Sequence, residues 1–165
     1  MNNDMASPRA RPADIRVVCV DVASRLEMLD LVDVTTAQLA RQAGLDDDSI
    51  HWVTLATREA VANAMKHGNA GDEGKRVHLE FEVRDTDAPP ALVVCVRDEG
   101  RGFDPGAVAD PLDPRYMSRP CGRGLLIMRS VVDELVFKAG PDGGMEITIT
   151  KRAALAGGPA ELVRT

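Results

Sequence analysis

The chain has 165 residues, 44% of them hydrophobic and 28% charged, the proportions of one soluble globular domain long enough to bury a core. Aromatic residues make up only 3% and the net charge is −6, which excludes a base-stacking single-strand binder and a basic nucleic-acid surface. A phosphate ligand stays open to an acidic chain, provided its positive groups are local.

Cys19, Cys95 and Cys121 are far apart, with no C-x-x-C pair and no ligand spacing to His51, His67 or His78. Neither a disulfide framework nor a zinc site is expected, two of the cysteines lie in apolar runs typical of buried strands, and a reducing cytoplasm is the expected location. No signal-peptide pattern opens the sequence, and no apolar run approaches the roughly 20 residues that span a bilayer.

In chain order, residues 1–13, with Pro8, Arg9, Arg11 and Pro12, read as a disordered leader. The β-branched run Ile15 to Val22 predicts a first strand. Ser24, with Glu27 three residues on, has the form of a capping box. The helix it would open carries Leu26, Leu29, Val32 or Val34, and Leu39 at helical spacing, and Gly44 ends it. Asp48 or Ser49 is expected to cap a second helix that runs to Gly68. Val77, Leu79, Phe81 and Val83 alternate with polar residues as a half-buried strand, and Asp85 to Pro90 reads as a hairpin loop before the apolar strand Ala91 to Val96. Leu125 to Val132 suits a buried helix. Leu135 to Ala139 and Met145 to Thr150 pair naturally across Gly140–Gly144 as a final hairpin, and residues 153–165 form a tail. Strands joined by hairpins and helices grouped together predict an α+β fold over residues 14–152. It is a two-layer sandwich, with one mixed, mainly antiparallel sheet covered by helices on one face.

Three stretches carry chemistry. In the second helix, at about 100° per residue, Glu59, Asn63 and Lys66 share a polar sector opposite Ile50, Val53, Thr54, Thr57, Val61, Ala64 and Met65. Glu59 has the chemistry of a general base, Asn63 offers a hard neutral oxygen to Mg²⁺, and Lys66 can meet a phosphate as a point charge. Taken alone, a solvated helix face accounts for the same spacing, and His67 reads best as a favourable charge at the helix C-terminus. Second, Asp98, Gly100 and Gly102 follow an apolar strand, where the glycines permit close approach of a ligand and Asp98 can accept from an exocyclic amine; a plain turn is the competing reading. Third, Gly122, Arg123 and Gly124 run into an apolar helix, a ready anion site. The glycine patterns of a Rossmann fingerprint and of a P-loop are both incomplete. Between the second and third stretches, Gly106 to Pro120 has the length of a binding loop, with Arg115 and Arg119 as charges that can reach a phosphate.

In this order and spacing the three stretches resemble the N box and the two glycine boxes of the GHKL (Bergerat-fold, histidine-kinase-like) ATPases. The resemblance is strongest to the small anti-sigma-factor serine/threonine kinases of bacteria. Their E-x-x-x-N-A-x-x-H-G helix, D-x-G-x-G-F-D turn and G-x-G-L helix start read here as Glu59 to Gly68, Asp98 to Asp104 and Gly122 to Leu125. The resemblance implies that ATP and Mg²⁺ are bound, with Asn63 on the metal and Asp98 reading the adenine amine. It gives Gly100 and Gly102 room for the base, Gly122, Arg123 and Gly124 the phosphates, and Glu59 the proton of the attacking hydroxyl. It further implies a cytoplasmic homodimer that sequesters a sigma factor and phosphorylates a serine on a small anti-anti-sigma antagonist, without direct contact to nucleic acid or membrane. The alternative is an ATP-binding partner-switch regulator of the same fold, without kinase activity or with a non-sigma target.

Overall fold

The computed structural model describes residues 16–101, 120–140 and 143–154, and only the backbone of residues 120–123. Strands β1 (Arg16–Ala23), β2 (Arg76–Arg84), β3 (Ala91–Asp98), β4 (Glu134–Ala139) and β5 (Met145–Arg152) form one sheet in the order β1-β2-β3-β5-β4. Helices α1 (Leu29–Gln42), α2 (Asp47–Asn63) and α3 (Pro120–Val131) complete the α+β sandwich. All four strand pairings are antiparallel, so the parallel pair that a mixed sheet would contain is not found among the described residues.

The alternation read in the sequence sets the two faces. Val77, Leu79, Phe81 and Val83 of β2 join Leu92, Val94 and Val96 of β3 and Ile147 and Ile149 of β5 in one core with Val32, Val53, Val61 and Met128 from the helices. The opposite phase stays wetter. One row across it runs Asp21, His78, Arg97, Glu146 and Lys138, a charged band on the face away from the described helices. Cys19 follows this outward phase on the edge strand and is exposed, contrary to the buried setting expected from its apolar neighbours. Cys95, on the central strand, is half-buried, and burial pushes its thiol up to about 11.

Helix ends show where local signals hold. Gly44 takes a left-handed φ of 77°, with its N–H on Arg41 O at 3.0 Å and Leu45 N on Ala40 O at 3.1 Å, the two bonds of a Schellman stop. The cap of α2 is Asp46 rather than Asp48 or Ser49. Only Asp46 has the extended backbone a cap needs, and its Oδ1 accepts from Ser49 N at 2.8 Å. That amide bond holds the Asp46 carboxyl below its ordinary value. The capping box at Ser24 is not made: a short 3₁₀ turn (Leu26–Met28) leads into α1 without a side-chain cap, and Ser24 is buried with its N–H on Lys75 O. Leu26 and Val34 are exposed, so Leu29, Val32 and Leu39 carry the buried stripe.

Two corrections bear on the site. The second helix is not α-helical to its end; it passes at Ala64 into a π-helical turn (Ala64–Gly68), with Asn69 N on Ala64 O at 2.7 Å. And α3 begins at Pro120, a residue that suits a first helical position, so Gly122, Arg123 and Gly124 lie within the helix start and not ahead of it. It is also not fully buried, since Met128 faces the core while Leu126 and Ile127 remain exposed. No helix among the described residues is long and apolar enough to cross a membrane.

Candidate functional site

Glu59 and Asn63 stand four residues apart on α2, on one face, and both are half-buried. Gly124, in the start of α3, lies directly against them. A Cβ built on Gly124 would sit 2.8 Å from Glu59 Oε2 and 3.7 Å from Asn63 Nδ2. The first and third sequence stretches therefore meet, through the absence of a side chain. The amides of Cys121, Gly122 and Arg123 belong to the first turn of α3, whose N–H groups have no acceptor within a helix. Arg58, next to Glu59, turns away to α1: it pairs with Asp33 and, at 3.3 Å, with Asp30, and the Asp33 bond raises its guanidinium further above its ordinary value.

Asp98 ends β3 opposite Val77 and is only 6% exposed. Its Oδ1 accepts from Gly100 N at 2.8 Å and Met145 N at 3.2 Å. Glycines from three elements close around the carboxylate. A Cβ on Gly68 would collide with Asp98 Cγ and Oδ2, one on Gly100 would reach 2.7 Å from Oδ1, and one on Gly144 2.8 Å from Oδ1. Gly144 has a φ of 74° as well, so the turn between β4 and β5 needs glycine there twice over.

Next to this cradle, Asn69 is completely buried. Its Oδ1 accepts from Glu99 N at 2.8 Å, and its Nδ2 donates to Arg76 O at 2.8 Å and to Ser24 Oγ at 3.3 Å. The Glu99 carboxylate returns to the same place, accepting from Arg76 N at 2.8 Å and facing His78 Nε2 at 3.1 Å. The Arg76 amide, followed by His78, holds the Glu99 carboxyl below its ordinary value.

Of the residues singled out in the sequence, Glu59, Asn63 and Gly124 come together at one point, and Asp98 and Gly100 at another. Lys66 is exposed on the π turn, as is His67, because the α-helical spacing that aligned Lys66 with Asn63 does not continue past residue 63. Gly122 and Arg123 are located through their backbone alone, and Gly102, Arg115 and Arg119 lie outside the described residues, as do the leader and residues 155–165.

Residues 22–151 match the family described as Histidine kinase-like ATPase domain. The chain belongs to this family. The matched span of this histidine kinase-like ATPase domain holds all three stretches. Its relatives include a Serine-protein kinase RsbW from Halalkalibacterium halodurans, 28% identical over 136 residues that cover 79% of this chain and 79% of the relative. An Anti-sigma F factor from Clostridium beijerinckii is 27% identical over 137 residues, 81% of this chain and 92% of the relative. A Serine-protein kinase RsbW from Staphylococcus epidermidis is 29% identical over 133 residues, 76% of this chain and 79% of the relative.

Sequence reasoning about this ATPase domain missed Gly68, Asn69, Gly144 and Met145 as parts of the Asp98 environment. Gly68 read only as the end of a helix and of its motif, Asn69 carried no assigned role, and Gly144 read as ordinary hairpin chemistry. One signal was available: a glycine and an asparagine in succession at a helix end, where a buried carboxamide can satisfy the amides of a neighbouring turn.

Proposed function

We propose that the protein is an anti-sigma factor and an ATP-dependent serine protein kinase, one that sequesters a sigma factor and phosphorylates a serine on its small antagonist protein. The observation that carries this reading is the presence of two complementary half-sites. One is a buried carboxylate in a glycine cradle at Asp98; the other is Glu59 with Asn63 against the helix start at Gly124. The relatives named Serine-protein kinase RsbW and Anti-sigma F factor support the substrate class and the partner.

The residues present fit a purine nucleotide and its metal. Around Asp98 the glycines let three segments pack closely on the carboxylate, and with Oδ1 held by two amides it is oriented to accept from an exocyclic amine. In this reading Gly100, and Gly102 outside the described residues, are the glycines that flank the base. Asn63 offers a carboxamide oxygen, the hard neutral donor that Mg²⁺ favours, and the α3 start at Gly122, Arg123 and Gly124 suits phosphate oxygens. Bound Mg²⁺ would neutralise charge on those oxygens. In this reading Lys66 and Arg123 are the residues that supply positive charge to the phosphates.

Glu59 acts as the base. It takes the proton of the acceptor serine while the serine oxygen bonds to the γ-phosphorus; the bond from that phosphorus to the β–γ bridging oxygen breaks, and ADP leaves with the electron pair. Phosphorylation then releases the antagonist. The active form is a homodimer in the cytoplasm.

The test is to incubate the protein with Mg-ATP and candidate antagonist proteins and to locate phosphoserine by mass spectrometry. Glu59→Gln is expected to slow transfer by roughly 10²–10⁴-fold while ATP still binds, the range for loss of a general base. ATP binding with no serine labelled by the wild type sinks the kinase reading and leaves an ATP-binding partner switch.

A further inference from the structure

A fully buried carboxamide must place each of its hydrogen-bonding groups, because an unsatisfied one costs the whole desolvation penalty. Asn69 does so with a division of labour. Its amine side joins Arg76 O and Ser24 Oγ, which lie at the start of β2 and just past the end of β1. Its oxygen goes elsewhere, to the N–H of Glu99, the amide that directly follows Asp98.

That amide matters for what Asp98 presents. Two consecutive N–H groups follow the carboxylate in sequence. Gly100 N bends back to Asp98 Oδ1 at 2.8 Å, and Glu99 N is taken by Asn69 at 2.8 Å. The Asp98–Glu99 peptide is thus held from outside the turn, and the self-bond through Gly100 forms on a fixed frame. Gly68, the residue before Asn69, packs its Cα against Asp98 on the Oδ2 side, and its carbonyl oxygen lies where a Cβ on Gly100 would be. The π turn therefore delivers two successive contacts to one carboxylate: a bare backbone against its outer oxygen, and a side-chain oxygen against the peptide that carries it.

We propose that Asn69 is a positioning residue for nucleobase selection: through Glu99 N it fixes the aim of Asp98, and so sets the preference for a 6-amino purine over a 6-oxo purine. The inference rests on the reading of Asp98 as the group that accepts from the base. A carboxylate held in one orientation accepts from the adenine amine and opposes the carbonyl of hypoxanthine. A carboxylate on a loosened turn can swing away from that carbonyl, and the discrimination falls.

The two halves of the carboxamide can be separated. Asn69→Asp keeps an oxygen facing Glu99 N and loses the donor to Arg76 O; Asn69→Ala loses both; Ser24→Ala removes only the bond to Ser24. Binding of ATP and of ITP is measured by calorimetry for each variant, with Phe81→Leu as a core control that lowers thermal stability without touching the clip. The wild type is expected to favour ATP by at least about tenfold, the scale of one hydrogen bond to a charged group. That ratio should fall towards one in Asn69→Ala and persist in Asn69→Asp, Ser24→Ala and Phe81→Leu. Should Asn69→Ala not fold, Asn69→Ser answers the same question, since its hydroxyl is too short to reach Glu99 N and its ratio must fall where that of Asn69→Asp does not. An unchanged ratio in a folded Asn69→Ala or Asn69→Ser, or equal weakening of both nucleotides, overturns the proposal. If Asp98→Asn leaves the ATP-to-ITP ratio at its wild-type value, the reading of Asp98 itself fails, an outcome distinct from failure at Asn69 alone.

Discussion

At Gly124 a single hydrogen separates α3 from the Glu59 carboxylate. An added methyl would stand 2.8 Å from Oε2, the far end of a flexible side chain, so the cheapest response is for Glu59 to swing aside. Gly124→Ala is therefore expected to leave thermal stability little changed or slightly raised, since alanine gains about 1 kcal/mol over glycine inside a helix. Phosphoryl transfer should fall by at least about tenfold, because a displaced base is no longer aligned with its proton. A melting curve beside a transfer assay separates the two effects; equal loss in both would show that Glu59 was not the group that moved. Gly68 offers no such relief. Its extra methyl would run into the buried Asp98 carboxylate, held on its other side by two amides, so Gly68→Ala should lower stability by about 1–3 kcal/mol and weaken ATP binding together.

At the level of elements, the second helix is shaped by its two ends. Its start depends on Asp46, whose lowered carboxyl pKa has a definite consequence for pH. The stabilisation is fully present above the ordinary value of 3.8 and is lost as pH falls through the lower folded value. Glu99 behaves likewise below its ordinary 4.5, at the start of β2. Melting temperature should therefore drop as pH is taken below this range, and Asp46→Asn, which keeps an acceptor but does not titrate, should shallow the drop; an unchanged slope would remove Asp46 from the account. The other end of the helix shows the limits of reading sequence. A hydrophobic stripe from Ile50 to Met65 was legible because burial repeats with the turn of the helix, and Ile50, Val53, Thr57, Val61, Ala64 and Met65 are all buried. The change to π spacing at Ala64 was not, and the contacts that accompany it, of Gly68 and Asn69 with the turn after β3, lie across the fold. Ser24 misled in the same way: its hydroxyl had a partner 45 residues away, so the local cap was never formed.

Across the whole molecule, the sheet and its covered face followed from alternation, and the core they build is sensitive to volume. Phe81, 1% exposed at the centre of β2, should cost roughly 3–5 kcal/mol when cut to alanine, measured by chemical denaturation. Glu59 with Asn63, and Asp98 with Gly100, were legible as runs of neighbouring residues, whereas the approach of Gly124 to Glu59 is a product of the fold. What joins these runs to the scaffold was not legible either, since Asn69, Gly144 and Met145 reach Asp98 and its turn only after the sheet has assembled. The register of β1 gives that assembly an order. Strands β2 and β3, and β4 and β5, close as local hairpins, whereas Ala23 finds Arg76 only across the whole of α1 and α2. Closing that longer loop costs more entropy than closing either hairpin, as does the pairing of β3 with β5. Ser24 comes with β1, and with Ser24 one partner of Asn69. A partly opened chain that has lost β1 thus leaves one N–H of the Asn69 carboxamide without its Ser24 acceptor, a cost that ties the edge strand to the turn after β3.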